Sequence, residues 1–431
     1  MKISFSSYNL KIWYIVVSAL YMHTIMLRDA RIISYIYVYM IPIIYILLHI
    51  NQCMYYVRKL KRGYLSCFVA MLFFVFCGAI AAPIINMTGD VSFILTGPFR
   101  ALLINFVINI FLLLLYVNNS GGKPEFMEYC LYFACSNILY VLGTLIICAI
   151  PSLHTFFVTE IYMNDFSQNA ILLDFYYTRI GWSGFSNYLP SALCSISVWL
   201  CIIFIFKSRK SEGAFTKSNL AILLLIIGNL CYARTGVIVS LICVALYILY
   251  LFRRIDSKVL IYPFIIVVAI AIGGYLVEHN EVVGKWYGWA FAQINRFIAT
   301  GNYRTASVDS LFKMYSKVPS LETFLLGDGR YTTQTGYYMN VDIGWLRSIY
   351  YFGLFISVIQ YLALIPLVKR FNKHLREYIT RMDTRVASIM FFVLFFVFES
   401  KGEICFMLYS TLLPFCLFDT KEEHPCISLT H

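Results

Sequence analysis

Long apolar runs recur along the whole chain and limit what it can fold into. About twelve are long enough to cross roughly 30 Å of hydrocarbon as helices. Lipid cannot satisfy backbone polar groups, and the runs lack the alternation of a barrel strand, so we expect helices. The predicted spans are 10–27, 32–54, 64–87, 92–117, 128–150, 189–206, 218–233, 235–252, 259–277, 343–368, 386–399 and 403–418. The sequence therefore predicts an all-α, polytopic integral membrane protein.

Composition excludes the soluble alternatives. Of 431 residues, 60% are hydrophobic and only 13% are charged, whereas a soluble protein carries about a quarter charged residues. The first apolar run lacks a small-residue cleavage site and is expected to remain as a helix. No Cys/His spacing typical of zinc and no glycine-rich nucleotide loop is present, so the residues indicate neither a metal nor a nucleotide.

Lysine and arginine concentrate on alternate predicted loops, which indicates the cytoplasmic face. The net charge of +12 is therefore read as a sign of topology. Residues 1–431 are predicted to form one membrane domain with both termini cytoplasmic. The opposite, outer face then carries two longer segments, 151–188 and 278–341, where we expect the functional site. The basic clusters are Arg58 to Arg62, Lys207 to Lys217, Arg253 to Lys258, and 369–385.

Arg234 lies in the very short turn 233–236 between two apolar runs, which places it at the outer interface. An arginine there can hold a phosphate through two parallel hydrogen bonds. An interfacial arginine whose stem lies in lipid is the structural alternative.

Arginines and aromatic residues occur together in both predicted outer segments. Arg296, Arg304 and Arg330 lie in 278–341 and Arg179 lies in 151–188, each segment also carrying tyrosine and tryptophan. Aromatic faces cover the apolar side of a sugar and arginine neutralises a diphosphate, so the mixture suits a sugar phosphate. An aromatic belt at the membrane interface is the alternative for the aromatics. Residues 327–330 indicate a tight turn.

Asp342 immediately precedes the long apolar run that begins near Ile343. It is predicted either to cap that helix or to act as a general base on a sugar hydroxyl. Glu399 and Glu403 are four residues apart and would share one face of a helix, so a lysine or arginine is expected close by. Glu399 is thus either part of a structural ion pair or part of a polar, substrate-binding cavity.

Three short stretches have the form of motifs found together in one membrane family. Residues 229–236 contain Ala233, Arg234 and Thr235, similar to a Ser-Arg-Thr turn, and Arg304 lies in a loop before a short helix. Leu326, Gly327 and Gly329 are followed by Asp342, Gly344, Trp345 and Gly353. In these stretches and in its topology the chain resembles the bacterial O-antigen polymerase family, within the group that includes O-antigen ligases.

This resemblance implies a GT-C-like glycosyltransferase of the bacterial inner membrane. It would join oligosaccharide repeats carried on undecaprenyl diphosphate at the periplasmic face, without cofactor or nucleic acid. A chain-length regulator is a further partner that the family implies. By carry-over Arg234 and Arg304 would hold the diphosphate and Asp342 would be the base. Ligases of the group tend to have histidine at the position of Asp342, which favours a polymerase.

Two other functions stay open from the sequence. A flippase of the same lipid-linked oligosaccharide would also be basic, polytopic and free of nucleotide motifs, although its site is expected near the middle of the bilayer. A ligase would share most of the predicted site and differ in its acceptor. A membrane scaffold would give no reason for Arg234, Arg304 and Asp342 on the outer face.

Overall fold

Helices dominate the structure, a computed structural model that describes residues 2–5, 8–120, 124–161, 180–185, 188–208, 212–252, 284–285, 288–289, 291–302, 304–333 and 336–419. In the first half of the chain the elements are β1 (Lys2–Phe5), β2 (Tyr8–Lys11), α1 (Ile12–Met22), α2 (Arg31–Tyr35), a π-helical stretch (Ile36–Met40), α3 (Ile41–Leu48), α4 (Ile50–Lys59), α5 (Tyr64–Ile85), α6 (Ser92–Leu95), α7 (Pro98–Asn119), α8 (Phe126–Ala149) and α9 (Pro151–Thr159).

The second half continues in the same manner, with short elements between the long helices. These elements are β3 (Ile180–Gly181), β4 (Gly184–Phe185), α10 (Tyr188–Lys207), α11 (Glu212–Tyr232), α12 (Arg234–Phe252), α13 (Ala292–Thr300), α14 (Ala306–Tyr315), α15 (Leu321–Leu326), β5 (Thr332–Thr333), β6 (Gly336–Tyr337), a 3-10 turn (Tyr338–Asn340), α16 (Gly344–Leu362), α17 (Leu364–Leu375), α18 (Arg381–Glu399) and α19 (Cys405–Cys416). Each strand pair forms a two-stranded antiparallel hairpin.

Seven helical segments in the described residues are long and apolar enough to cross a membrane, so the expected all-α membrane class is confirmed. They are Arg31–Leu48, Tyr64–Ile85, Ser92–Asn119, Phe126–Ala149, Tyr188–Lys207, Arg234–Leu251 and Gly344–Leu375. Three shorter apolar helices coincide with further predicted spans, namely Ile12–Met22, Lys217–Tyr232 and Cys405–Cys416. The predicted span 259–277 lies outside the described residues.

The chain divides into two compact units, and each unit is assembled from separate stretches of sequence. Unit 1 comprises Met1–Tyr35, Leu131–Phe312 and Ile389–Phe398, and unit 2 comprises Ile36–Cys130, Lys313–Ser388 and Glu399–His431. Neither unit is one continuous segment, so neither is an independent domain in the sequence. The prediction that 1–431 form one membrane domain stays a prediction.

The centre of unit 1 is α10, which packs against both α11 and α12. Nearly every residue of α10 is buried, as expected of a helix that is apolar on all sides. Its buried serines are the polar exceptions, and two of them pair with Asn229: Ser191 donates to the Asn229 amide oxygen at 2.8 Å, and the amide nitrogen donates to Ser195 at 3.2 Å. These bonds satisfy polar groups that lie between apolar helices.

Unit 2 is built around α5, α7, α16, α17 and α19. Helix α7 packs on α19, and α5 contacts both α16 and α17. The short helix α15, which belongs to the predicted outer segment 278–341, packs on α16. Part of that segment is therefore attached directly to a membrane-spanning helix.

Helix α16 is broken at Gly353, where φ is 75° and ψ is −179°. The break removes the partners that the carbonyls of Tyr350 and Tyr351 would have in a continuous helix. The backbone amides of Asp328 and Gly329 replace them, at 2.6 and 3.2 Å. The predicted turn at 327–330 thus closes the gap in the backbone bonding of α16. Such pairing is necessary because unpaired backbone groups are costly away from water.

Replacing Gly353 by alanine is expected to destabilise unit 2. Its backbone conformation is open almost only to glycine, and a Cβ would collide with the carbonyl of Leu325. We expect a loss of about 2–3 kcal/mol in the free energy of unfolding. Thermal unfolding in detergent measures it. Gly89→Ala is the matched control, since Gly89 also has positive φ (65°) but has open space around it, so its loss should be about 1 kcal/mol.

Candidate functional site

Asp342 precedes α16, but it does not cap it. The helix begins at Gly344 with Ile343 in the capping position, and no side chain accepts a bond from the first turn. The capping interpretation of Asp342 is therefore wrong. The Asp342 side chain is half-buried, and its backbone amide donates to the sulfur of Met314 at 3.5 Å. The carboxylate thus keeps the freedom that a cap would remove.

Arg347, one turn into α16, is the charged residue that sequence reasoning missed. Its side chain is 8% exposed and faces the Glu403 carboxylate, itself 4% exposed, with Nη1 3.4 Å from Oε2. The cation expected beside the two glutamates is therefore this arginine. A single arginine inside an apolar run, five residues after Asp342, was the available signal, because such residues are rare in membrane helices without a partner.

Two tyrosines of the β5–β6 hairpin complete the cluster. The Tyr331 hydroxyl donates to Glu403 Oε2 at 2.5 Å and accepts from Arg347 Nη2. The guanidinium lies 4.4 Å from the centre of the Tyr331 ring and 3.6 Å from that of Tyr337, distances typical of cation–π contacts. Burial, reinforced by the charge of Glu403, holds the pKa of Tyr331 well above its usual value. Tyr331 therefore stays protonated and continues to donate to Glu403.

Two polar atoms of this cluster remain unsatisfied. Among the described residues, Glu403 Oε1 and Arg347 Nε are buried and have no hydrogen-bond partner. Buried polar atoms are nearly always paired, so an unpaired donor and acceptor in one buried cluster make it a candidate for binding a polar partner. The orphan acceptor and the orphan donor belong to one ion pair. We call Arg347, Glu403, Tyr331 and Tyr337 the charged cluster.

Glu399 differs from Glu403, because both of its carboxylate oxygens accept hydrogen bonds. Oε1 accepts from the Tyr361 hydroxyl at 2.9 Å, and Oε2 accepts from the backbone amide of Ile404 at 2.8 Å. Gly344 lies against the carboxylate so closely that it has no room for a side chain. Helix α18 ends at Glu399 and α19 begins at Cys405, so the two glutamates do not share one helix face. Glu399 instead caps the turn between the two helices.

Asp90 attaches the hairpin of the charged cluster to the start of α6. Its Oδ2 accepts the backbone amides of Tyr331 and Thr332 at 2.7 and 3.1 Å, and its Oδ1 accepts that of Ser92 at 2.9 Å. Burial raises the pKa of Asp90, but these hydrogen bonds outweigh it, so the pKa is lowered from its ordinary value. Sequence reasoning did not find this contact, because the partners are about 240 residues apart in the chain.

In unit 1, Arg234 is the first residue of α12, directly after the break at Ala233 that separates it from α11. The predicted short turn is therefore confirmed. The half-buried guanidinium lies 5.0 Å from the centre of the Trp289 ring. Gly236, two residues on, has no space for a Cβ because the side chains of Ser191 and Asn229 lie against it. The polar network beneath the turn fixes where Arg234 emerges.

The remaining predicted site residues lie in different surroundings. Arg304 is exposed and lies 5.4 Å from the ring centre of Phe312. Arg296 on α13 and Arg330 are exposed as well, and Arg179 lies outside the described residues. Arg234, Arg296 and Arg304 belong to unit 1, and Arg330, Asp342 and Glu399 belong to unit 2.

The described residues contain no group of three or more His, Cys, Asp or Glu side chains placed to hold a metal ion. The sequence matches no protein-family model, and no curated protein matches it.

Removing the Asp90 carboxylate is expected to destabilise the protein in a pH-dependent way. Because the folded pKa lies below the unfolded value of about 3.9, the contribution is complete above that pH and is lost as pH falls through the folded pKa. We expect Asp90→Ala to lower the free energy of unfolding by about 1 kcal/mol at pH 7, a figure discounted for partial exposure. Thermal unfolding of wild type and variant should converge at acid pH. A constant difference down to pH 3 would contradict this account.

Removing one member of the buried ion pair should cost more than removing both. Arg347→Met leaves Glu403 as an isolated buried charge, and we expect a loss of about 3–5 kcal/mol. The double variant Arg347→Met/Glu403→Gln removes both charges and should recover part of that loss. Detergent unfolding of the three proteins measures the effect. A double variant that is no more stable than the single one would show that the two groups do not interact.

Proposed function

We propose that the protein is a membrane glycosyltransferase of the O-antigen polymerase type. It acts on undecaprenyl-diphosphate-linked oligosaccharide repeats at the periplasmic face of the inner membrane, with both termini in the cytoplasm and a GT-C-like arrangement of helices. The reaction transfers the growing glycan from one carrier to a sugar hydroxyl of the next repeat. The reaction requires that the donor is bound at its diphosphate and that the acceptor sugar is oriented. It also requires a base that removes the proton of the acceptor hydroxyl.

The observation that carries this proposal is the charged cluster. It combines an arginine, a carboxylate and two aromatic rings, with one donor and one acceptor left unpaired among the described residues. Sugars are bound by such combinations, because aromatic faces cover their apolar side and hydroxyls both donate and accept. The cluster involves the end of α16 that the charge distribution assigns to the periplasm.

The donor half of the reaction is assigned to Arg234 and Arg304. Cleaving the bond between a sugar and a diphosphate develops negative charge on the leaving group, which a positioned guanidinium stabilises more in the transition state than in the ground state. The contact of Arg234 with Trp289 supports this role, since it orients the guanidinium. Arg179, Arg296 and Arg330 are assigned to holding the glycan chains.

A flippase is the second candidate, and one observation favours it. Arg347, Glu399 and the fully buried Gln360 put charged and polar side chains within the helical part of unit 2, where a carrier is expected to hold its polar substrate. A ligase differs from a polymerase only in its acceptor. The same experiment separates all three functions.

Deletion of the gene in its host, followed by electrophoresis of the lipopolysaccharide, tests the proposal. We expect lipid A core with a single repeat, because export and ligation continue while polymerisation stops. Wild type should restore the ladder, and Arg234→Ala and Arg304→Ala should not at equal protein levels. Arg62→Ala, an exposed arginine on the predicted cytoplasmic face, is the matched control. Complete loss of repeats would indicate a flippase or ligase, and an unchanged ladder would overturn the proposal.

A further inference from the structure

The two glutamates beside the start of α16 differ in what remains available on them. Glu399 has both oxygens engaged, by Tyr361 and by the backbone of Ile404. Glu403 has Oε2 engaged by Tyr331 and Arg347, whereas Oε1 is without a partner in the part of the chain that the structure describes. Of these two glutamates, only Glu403 has an oxygen without a hydrogen-bond partner among the described residues.

The partners of Oε2 fix the position of that free oxygen. The Tyr331 hydroxyl donates at 2.5 Å, and Arg347 approaches to 3.4 Å. Tyr331 is itself held through its backbone amide by Asp90 at 2.7 Å. A carboxylate held in this way loses little entropy when it meets a substrate, which is the condition for efficient proton transfer.

Tyr337 marks the side from which a sugar reaches the pair. Tyr337 is 42% exposed, and the centre of its ring lies 3.6 Å from the Arg347 guanidinium, which is itself buried. The same guanidinium contacts Glu403, with Nη1 3.4 Å from Oε2, so Arg347 links the exposed Tyr337 to the buried carboxylate. A sugar that packs on Tyr337 would lie next to the side chain that carries the unpaired Nε.

We propose that Glu403 is the general base for the acceptor hydroxyl, with Oε1 as the receiving atom and Arg347 Nε donating to an oxygen of the same acceptor sugar. This inference rests on the proposed glycosyltransferase function. The resemblance implies Asp342 as the base, and the geometry assigns the role to Glu403.

The step balances without a further reactant. The acceptor hydroxyl transfers its proton to Glu403 Oε1, and its oxygen forms the new bond to the anomeric carbon of the donor. The bond between that carbon and the diphosphate breaks, and its electron pair leaves with undecaprenyl diphosphate. The protonated Glu403 then loses its proton to water. Asp342 does not take the proton in this step. Its charge interacts electrostatically with Arg347.

Elongation by the purified full-length protein in detergent tests the assignment. The substrate is the undecaprenyl-linked repeat extracted from the deletion strain, and products are measured by mass spectrometry. We expect Glu403→Gln to slow elongation at least 100-fold, with undecaprenyl diphosphate bound as by wild type. Glu322→Gln, the same change on an exposed carboxylate of α15, should stay within twofold of wild type. Asp342→Asn should lose less than tenfold.

The pH dependence separates a base from a structural residue. Glu403 accepts a proton only when ionised, so the wild-type rate should fall as pH decreases, and the residual rate of Glu403→Gln should not. The titratable groups facing Glu403 are Arg347, Tyr331, Glu399, Tyr361 and Cys405. The Tyr361 hydroxyl donates to Glu399. Tyr361→Phe should therefore keep the acid limb of the profile, which is the fall in rate as pH decreases. Loss of that limb in Tyr361→Phe would overturn the assignment.

The outcomes distinguish this inference from the proposed function. An inactive wild-type protein overturns both. An active wild type with Glu403→Gln within tenfold of it overturns the assignment of the base alone, as does a larger loss in Asp342→Asn. If Glu403→Gln does not fold, Arg347→Met/Glu403→Gln removes the isolated charge and takes its place. The same loss of at least 100-fold is expected, and a rate within tenfold of wild type overturns the inference.

Discussion

The buried ion pair between Arg347 and Glu403 is the interaction on which the part of unit 2 around the start of α16 depends. It joins α16 to the turn before α19, and Tyr331 adds the β5–β6 hairpin to the same contact. Two charges removed from water are stable only if they find each other and further hydrogen bonds. The positions of α16, of the turn before α19 and of the β5–β6 hairpin therefore depend on one another. Within the described residues, one oxygen of Glu403 is left without a hydrogen-bond partner in this arrangement.

A second constraint, the satisfaction of backbone groups, connects part of the segment 278–341 to the helices. The break at Gly353 leaves two carbonyls of α16, those of Tyr350 and Tyr351, without their helical partners. They accept hydrogen bonds from the backbone amides of Asp328 and Gly329 instead. Gly327 allows this approach, because a Cβ there would lie 2.5 Å from the Tyr351 carbonyl oxygen, and Gly329 allows a similarly close approach to Ala82 of α5. Asp90 adds the backbone amides of Tyr331 and Thr332 to this attachment. A segment that resembles a long loop in the sequence is thus part of the folded unit.

The candidate site was only partly accessible to sequence reasoning. Arg234 was identified because a four-residue turn between two apolar runs restricts where an arginine can lie. In the structure it is the first residue of α12. Glu399 and Glu403 were noticed as costly charges, but which of them keeps a free oxygen depends on partners from other helices. Arg347 and Asp90 were missed because neither forms a local motif. Their partners lie 56 and about 240 residues away.

The sequence by itself determined the class of the protein and most of its long helices. Hydropathy is a local property, and lipid imposes the same requirement on every spanning segment, so apolar length is sufficient to identify them. Only the tertiary structure decided the break in α16, the role of residues 327–330 and the difference between Glu399 and Glu403. These features arise from contacts between distant segments, where geometry at the scale of one hydrogen bond determines which polar group is satisfied and which remains free.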